Sequence, residues 1–398
     1  MRRIGANYII TNTGKAIRNA YLELNDNGVI INLIEHNGEL EEVSGLEFYN
    51  GVLVPGFVNT HTHLELSYMK DKLKPKKGLP YFISSLREIR EQAKQDEIQT
   101  AISLADEELK REAVVLVADI SNTKDTIKTK KSSSLPYKTF IEIFGIDKYQ
   151  AQSVFENAKE LMTEFRENNL DSSITPHATY SVSEKLFSLI TELSYQENAT
   201  LCIHNQETES ENLMFINKTG ELFDFFSSLG LNLDSFYPTG YNSLPSVIVQ
   251  LPKCSKLNLV HNTFTTQEDI NKVNAYSKHA YWTICPNANL YIEDKLPDIN
   301  MLYQNNLKIC IGTDSLASNT RLSIIEELKT IQKYFPDIPF IDLIKWSSYN
   351  GAEALDTLDY LGSFEKGKSP GVALIENFDF ENFKLKDDST VRLLQTSS

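Results

Sequence analysis

Paired cysteines, glycine-rich phosphate loops, long apolar runs and an excess of positive charge are all missing from this chain of 398 residues. The four cysteines, Cys202, Cys254, Cys285 and Cys310, form no CxxC pair. That argues against a thiolate zinc site and a disulfide framework. No GxGxxG follows an early strand-like run, which counts against a dinucleotide-binding open sheet. No stretch approaches the ~20 apolar residues of a membrane span. The N-terminal MRRIGANYIITNTG is too polar for a signal peptide. With 39 Lys and Arg against 54 Asp and Glu, the net charge is −15. Nucleic-acid phosphates and anionic lipid surfaces call for the opposite sign. The expectation is a cytoplasmic protein that meets a small-molecule substrate, neither nucleic acid nor membrane, and that is free to pair as a homodimer.

What is present is ordinary globular material, 41% hydrophobic and 23% charged. Residues 1–53 read as β structure: ANYIITN, AYLELND, GVIINLIEH and LEFYNGVLVPG are short runs rich in β-branched and aromatic residues. After Pro55 the pattern changes. Eight apolar runs follow: GFVNTH (56–61), AVVLVADI (113–120), TFIEIFG (139–145), SSITPH (172–177), TLCIHN (200–205), LNLVHN (257–262), AYWTICP (280–286) and KICIGTD (308–314). Segments such as AQSVFENAKELMTEFREN separate them, with apolar residues at three- and four-residue spacing, as on one helix face. Eight buried strands alternating with helices predict an α/β fold, a (β/α)8 TIM-type barrel, over residues 54–360. A doubly wound open sheet is the alternative. The tail, 361–398, returns to β character and is expected to join 1–53 in a small β-sandwich domain built from both chain termini.

Five of the seven histidines fall at the C-terminal ends of these runs: His61 and His63, His177, His204 and His261. Asp314 ends the eighth. In such a barrel those ends converge on one face. Residues i and i+2 of a strand point the same way, so His61 and His63 can grip one ion. His204 and Asp314 complete a set of three nitrogens and one oxygen that suits zinc or ferrous iron. The competing reading is five core histidines with satisfied hydrogen bonds. Glu207, three residues after His204, is placed to carry a proton; a solvated loop glutamate is the other reading. Glu65 shares the parity of His61 and His63 and reads equally as a pocket residue or as half of a structural ion pair.

The chain resembles the amidohydrolase superfamily, and within it the aminohydrolases that deaminate nucleobases, nucleosides and related heterocycles. The resemblance rests on PGFVNTHTHLELS, PHATYSVS, HNQE, VHN, CPNANL, GTDSLASN and NGAEAL and covers nearly the whole chain. It implies that His61, His63, His204 and Asp314 ligate one divalent ion, zinc before iron. The fourth run has no lysine to bridge a second. It implies further that Glu207 shuttles a proton, that His261 orients the attacking water or the substrate, and that His177 contacts the substrate. Asp314 would double as a proton acceptor. Glu65, Asn287 of CPNANL and Ser315 of GTDSLASN are assigned to the substrate pocket. The form HTHLELS is similar to bacterial aminodeoxyfutalosine deaminases. The expected activity is hydrolytic deamination of an amino-substituted N-heterocycle. The alternatives are dechlorination or amide hydrolysis at the same site, or a non-catalytic scaffold. Two further expectations concern loops. The Lys-rich stretch 69–78 either steers an anionic substrate or is plain solvated surface. Segment 205–256 is expected to cover the pocket, offering Phe223, Phe225, Phe226, Phe236, Tyr237 and Tyr241 to a flat ring.

Overall fold

The structure, a computed structural model, describes residues 1–35, 37–39, 42–231, 233 and 236–396. His36, the last residue of the run GVIINLIEH, and the final two residues of the tail lie outside the described residues. Strands β1 (Arg2–Ile9), β2 (Ile17–Leu24), β3 (Ile30–Ile34) and β4 (Leu46–Pro55) precede the eight expected strands. Those are β5 (Phe57–Thr62), β6 (Val114–Ser121), β7 (Tyr137–Ile143), β8 (Asp171–Pro176), β9 (Leu201–Asn205), β10 (Leu257–His261), β11 (Ala280–Ile284) and β12 (Ile309–Ile311). The chain ends in β13 (Val372–Asp379) and β14 (Lys384–Gln395).

Strands β5 to β12 pair in parallel with their sequence neighbours and form the barrel, in two four-stranded halves, β5–β8 and β9–β12. Every residue of β5, β6, β9, β10 and β11 is buried, which is why these strands read as continuous apolar runs rather than alternating ones. The halves meet at two narrow seams. At one, the His204 N–H donates to the His177 carbonyl at 2.8 Å. At the other, the N–H groups of Thr313 and Asp314 donate to the His61 carbonyl at 3.0 and 3.1 Å.

Amphipathic helices cover the barrel where the three- and four-residue spacing predicts them, including Ala151–Glu167, Glu184–Glu197, Gln267–Tyr276 and Ile324–Tyr334. Thr266 and Asp269 close a reciprocal capping box at the start of the third of these. The helix expected after the first strand is Gly78–Gln92, and a second, Gln95–Arg111, follows it directly. Among the described residues no helix is long and apolar enough to cross a membrane.

The terminal strands form one six-stranded sheet in the order β14-β13-β4-β1-β2-β3. One face buries Ile4, Leu22, Leu53, Phe364 and Leu374 together. The other turns Val52, Val54 and Ile375 into the main core. Strand β4 runs through Gly56 into β5. A Cβ at Gly56 would stand 2.3 Å from Val115 Cγ1 and 2.9 Å from the Pro370 carbonyl, so sheet and barrel approach here at backbone distance.

Candidate active site

The C-terminal ends of the barrel strands bring the histidines together. The Nε2 atoms of His63 and His61 are 3.2 Å apart, and those of His63 and His204 are 3.3 Å apart. Asp314 Oδ1 lies 3.7 Å from His61 Nε2 and 3.6 Å from His63 Nε2. Ligands about 2.0–2.1 Å from a tetrahedral zinc stand about 3.3–3.4 Å from one another. The set therefore has the chemistry and the spacing of a zinc site made of three imidazoles and one carboxylate. Three buried imidazole nitrogens facing one another have no comparable use for those lone pairs. His61 is fully buried, and burial together with its histidine neighbours holds its pKa well below the usual value, so it is a neutral imidazole with a lone pair to offer.

The backbone carrying these groups is bent. Gln206, His261, Asn262 and Asp314 all adopt positive φ, at 48°, 76°, 60° and 55°. Four side-chain-bearing residues in that region, clustered where strands end, mark a site whose surroundings enforce the geometry. Asn262 supplies part of that enforcement: its Nδ2 donates to the carbonyls of Leu259 (2.8 Å) and Thr283 (3.0 Å). Gly312, before Thr313, lies flat against His61. A Cβ there would be 2.8 Å from His61 Cβ.

Glu207 is buried beside the imidazole set, with Oε1 3.6 Å from His261 Nε2. Burial pushes its carboxyl well above the usual pKa, which favours the protonated acid at neutral pH. Burial drives His261 down to about 3, so it is neutral. His177 is partly exposed at the rim, its Nδ1 2.7 Å from Ser181 Oγ and its ring 4.9 Å from that of His204. Burial lowers its pKa to about 4.

Two expected pocket residues point elsewhere. Strand β5 stops at Thr62, and residues 64–69 form a 3-10 turn, so strand parity does not reach Glu65. Its carboxylate is bound to Arg90 (3.2 Å) and to the N–H groups of Asn122 and Thr123 (both 3.1 Å), the ion-pair reading rather than the pocket one. Asn287 sits in the helix Pro286–Ile292, where its Oδ1 accepts from Thr330 Oγ1 at 2.6 Å. Two residues later is about 200° around a helix, so Asn289 faces the site instead. Asn289 Nδ2 contacts His261 Nδ1 (3.3 Å) and donates to Thr263 Oγ1 (2.8 Å). Ser315 is buried with its hydroxyl 3.2 Å from that of Ser318, and it is Ser318 whose hydroxyl donates to Asp314 Oδ2, at 2.6 Å.

Several groups near the site escaped the sequence reading. Asp119, two residues before the end of β6, accepts the Leu64 N–H at 2.8 Å, directly after His63. It pairs at 2.5 Å with Lys130, and both side chains are completely buried. Glu142, near the end of β7, lies 3.2 Å from His204 Nδ1. Burial pushes its carboxyl up, but His177 and His204 outweigh that and hold it well below the carboxylate range. A lone acid inside the apolar run TFIEIFG was the available signal; for Lys130, hidden in KDTIKTKKSSS, there was none.

The loops answer in part. In the Lys-rich stretch 69–78, Lys72 pairs with Glu97 (2.5 Å) and Lys76 with Asp294 (2.8 Å), which leaves less free charge than the composition suggests. Of the aromatics in 205–256, Phe226 approaches the rim, 5.7 Å from Tyr180, which lies 6.0 Å from His177. Phe236 packs on Phe215, and Tyr237 and Tyr241 are exposed.

Residues 52–393 match the amidohydrolase family, and the chain belongs to it. Two curated relatives are similar along most of their length. A 5-methylthioadenosine/S-adenosylhomocysteine deaminase of Clostridium tetani is 24% identical over 87% of this chain and 77% of its own. An adenosine deaminase of Helicobacter pylori is 28% identical over 77% of this chain and 75% of its own. Among solved structures, Helicobacter pylori aminofutalosine deaminase in complex with methylthio-coformycin superposes with a TM-score of 0.80 at 22% identity, over 96% of this chain and 94% of that one. A zinc-bound adenosine deaminase from Xanthomonas campestris gives a TM-score of 0.74 at 19% identity, over 96% and 85%.

Proposed function

We propose that this chain is a metal-dependent deaminase that replaces the amino group of an adenosine-like nucleoside with oxygen and releases ammonia. The observation that carries the reading is the convergence of His61, His63 and His204 Nε2 on Asp314, with the buried acid Glu207 beside His261. The deaminase names of its relatives support it. His61, His63, His204 and Asp314 would hold the ion, zinc by the donor set. When bound, such an ion supplies Lewis acidity that makes water nucleophilic near neutral pH.

The remaining steps belong to the chain's own groups. His261, neutral and within reach of Glu207, orients the attacking water. Asp314, steadied by Ser318, accepts a proton as water adds to the ring carbon bearing the amine. Glu207 donates its proton to the adjacent ring nitrogen, so charge does not build up on the ring during addition. The amine then takes the proton held by Asp314 and leaves as ammonia, while the new hydroxyl returns a proton to Glu207 and the carbon keeps its oxygen as a carbonyl. His177, at the rim, is placed to contact the substrate. We infer a cytoplasmic enzyme, in keeping with its acidity and with three buried, free cysteines.

The test is ammonia release by zinc-loaded protein on adenosine, 5-methylthioadenosine, S-adenosylhomocysteine, 5'-deoxyadenosine and aminodeoxyfutalosine. Turnover of at least one is expected. Stoichiometric zinc with no ammonia from any of them, but chloride from a chlorotriazine, would replace deamination with dechlorination.

A further inference from the structure

Glu142 belongs to none of the roles above, yet it is buried beside them. Its Oε2 accepts from Asn122 Nδ2 at 3.2 Å, and its main-chain carbonyl accepts from the same amide at 2.9 Å. Its Oε1 has no well-aligned hydrogen-bond donor among the described residues and lies 3.2 Å from His204 Nδ1. That nitrogen is also 2.8 Å from the His177 carbonyl. To hold an ion, His204 has to be a neutral imidazole with one proton. Held on Nδ1 between two oxygens, it leaves the Nε2 lone pair facing His63. We propose that Glu142 is the positioning residue that fixes the tautomer and ring plane of His204, and through it the affinity of the site for its ion. The inference rests on the metal-dependent reading of the site.

The support extends to the first strand. Asn122, which holds Glu142 by its side chain, donates its main-chain N–H to Glu65 Oε2. Glu65 follows His63 by two residues and is pinned from outside by the half-exposed Arg90. Two buried carboxylates thus hold one asparagine, Glu65 by its main-chain N–H and Glu142 by its side-chain amide, one tied to the turn after His63, the other beside the ring of His204. Outer partners of this kind orient the ligand and raise its basicity. Glu65, which does not face the pocket, has its part here.

The test is zinc affinity, read by competition with a chromophoric chelator on protein shown to be folded by circular dichroism. Glu142→Leu removes the acceptor, and Glu142→Gln keeps an oxygen without the charge. Asn122→Ala loosens Glu142 without touching His204. E142L is expected to bind zinc about 10–100-fold more weakly than wild type. E142Q is expected to recover part of that loss, which a variant that merely perturbs packing would not. N122A weakens binding in the same direction by less. Folded E142L with wild-type affinity would show that the His177 carbonyl suffices, and would overturn the inference. If E142L does not fold, wild-type affinity in N122A has the same force. A wild-type protein that takes up no zinc removes the metal reading itself, an outcome distinct from unchanged affinity in the variants.

Discussion

Gly312 separates strand β12 from Thr313 and Asp314, and it has no room for a side chain. An alanine Cβ would stand 2.8 Å from His61 Cβ, 3.0 Å from Cys285 Sγ and 3.0 Å from the His61 carbonyl. To reach ordinary contact the neighbours must open by about 0.6 Å. His61 cannot retreat cheaply, because its carbonyl accepts the Thr313 and Asp314 N–H groups that close the barrel seam. Overpacking of this kind costs about 1–3 kcal/mol. A ligand set tolerates displacements of about 0.5 Å before its geometry fails. Gly312→Ala should therefore lower the urea midpoint and also weaken zinc binding, whatever the substrate. Gly14→Ala is the control: no described residue lies within 4 Å of its Cβ, and the change should be neutral or stabilising by up to about 1 kcal/mol. If G312A and G14A unfold at the same urea concentration and bind zinc equally, His61 is not packed against that glycine and the seam does not constrain the ligands.

Glu207→Gln should keep full zinc content while ammonia release falls by about 10²–10⁴-fold, the usual worth of a positioned proton donor; loss of zinc in E207Q would make it a ligand instead. Asn289→Ala strands His261 Nδ1 and Thr263, an unmet buried group worth about 1–3 kcal/mol, so kcat/KM should drop roughly 5–150-fold. Asn287→Ala, whose partners are Thr330 and Glu327, should react at nearly the wild-type rate; equal effects would contradict the helix register. Lys130→Met abandons Asp119 in the interior and should cost about 3–5 kcal/mol in unfolding experiments, with part regained when Asp119→Asn is added. Glu327, raised by burial to about 8, binds more protons folded than unfolded between the ordinary carboxylate range and that value. Its ionisation therefore erodes stability as pH climbs from ~4 to ~8, and Glu327→Gln should flatten that decline in melts taken across the range.

The barrel was legible because its strands are buried on both faces and its helices on one, and those are the two patterns that periodicity separates. The convergence of His61, His63, His204, His261 and Asp314 was legible for a related reason: the C-terminal ends of parallel barrel strands share a rim, so sequence position translates directly into place. Where the chain leaves strand geometry, that translation fails. Glu65 has the parity of His63 but lies past the end of β5, and a 3-10 turn redirects it. Asn287 and Asn289 look interchangeable in CPNANL until a helix puts them on opposite sides. Lys130 is one of several lysines in a hydrophilic run, and only the fold shows that it lies between the rings of Tyr137 and Phe165, 5.5 and 5.0 Å away, facing Asp119. Long-range pairing of this sort leaves no local mark.

The placement of the four donors follows from how the barrel is put together. His61, in the first strand of one half, and His63, just past its end, face His204 and Asp314 of the other half. They face each other across the two seams, where parallel ladders give way to isolated bonds involving His177, His204, His61 and Asp314. Among the described residues few backbone bonds cross there. An ion bound by all four would join the halves where the backbone joins them least. Its binding free energy would then be a stabilisation of the closed barrel as well as a condition of catalysis. The carboxylates behind the donors act in two places. Asp119 holds the turn after His63 in the first half, and Glu142, from that same half, reaches across the seam to His204.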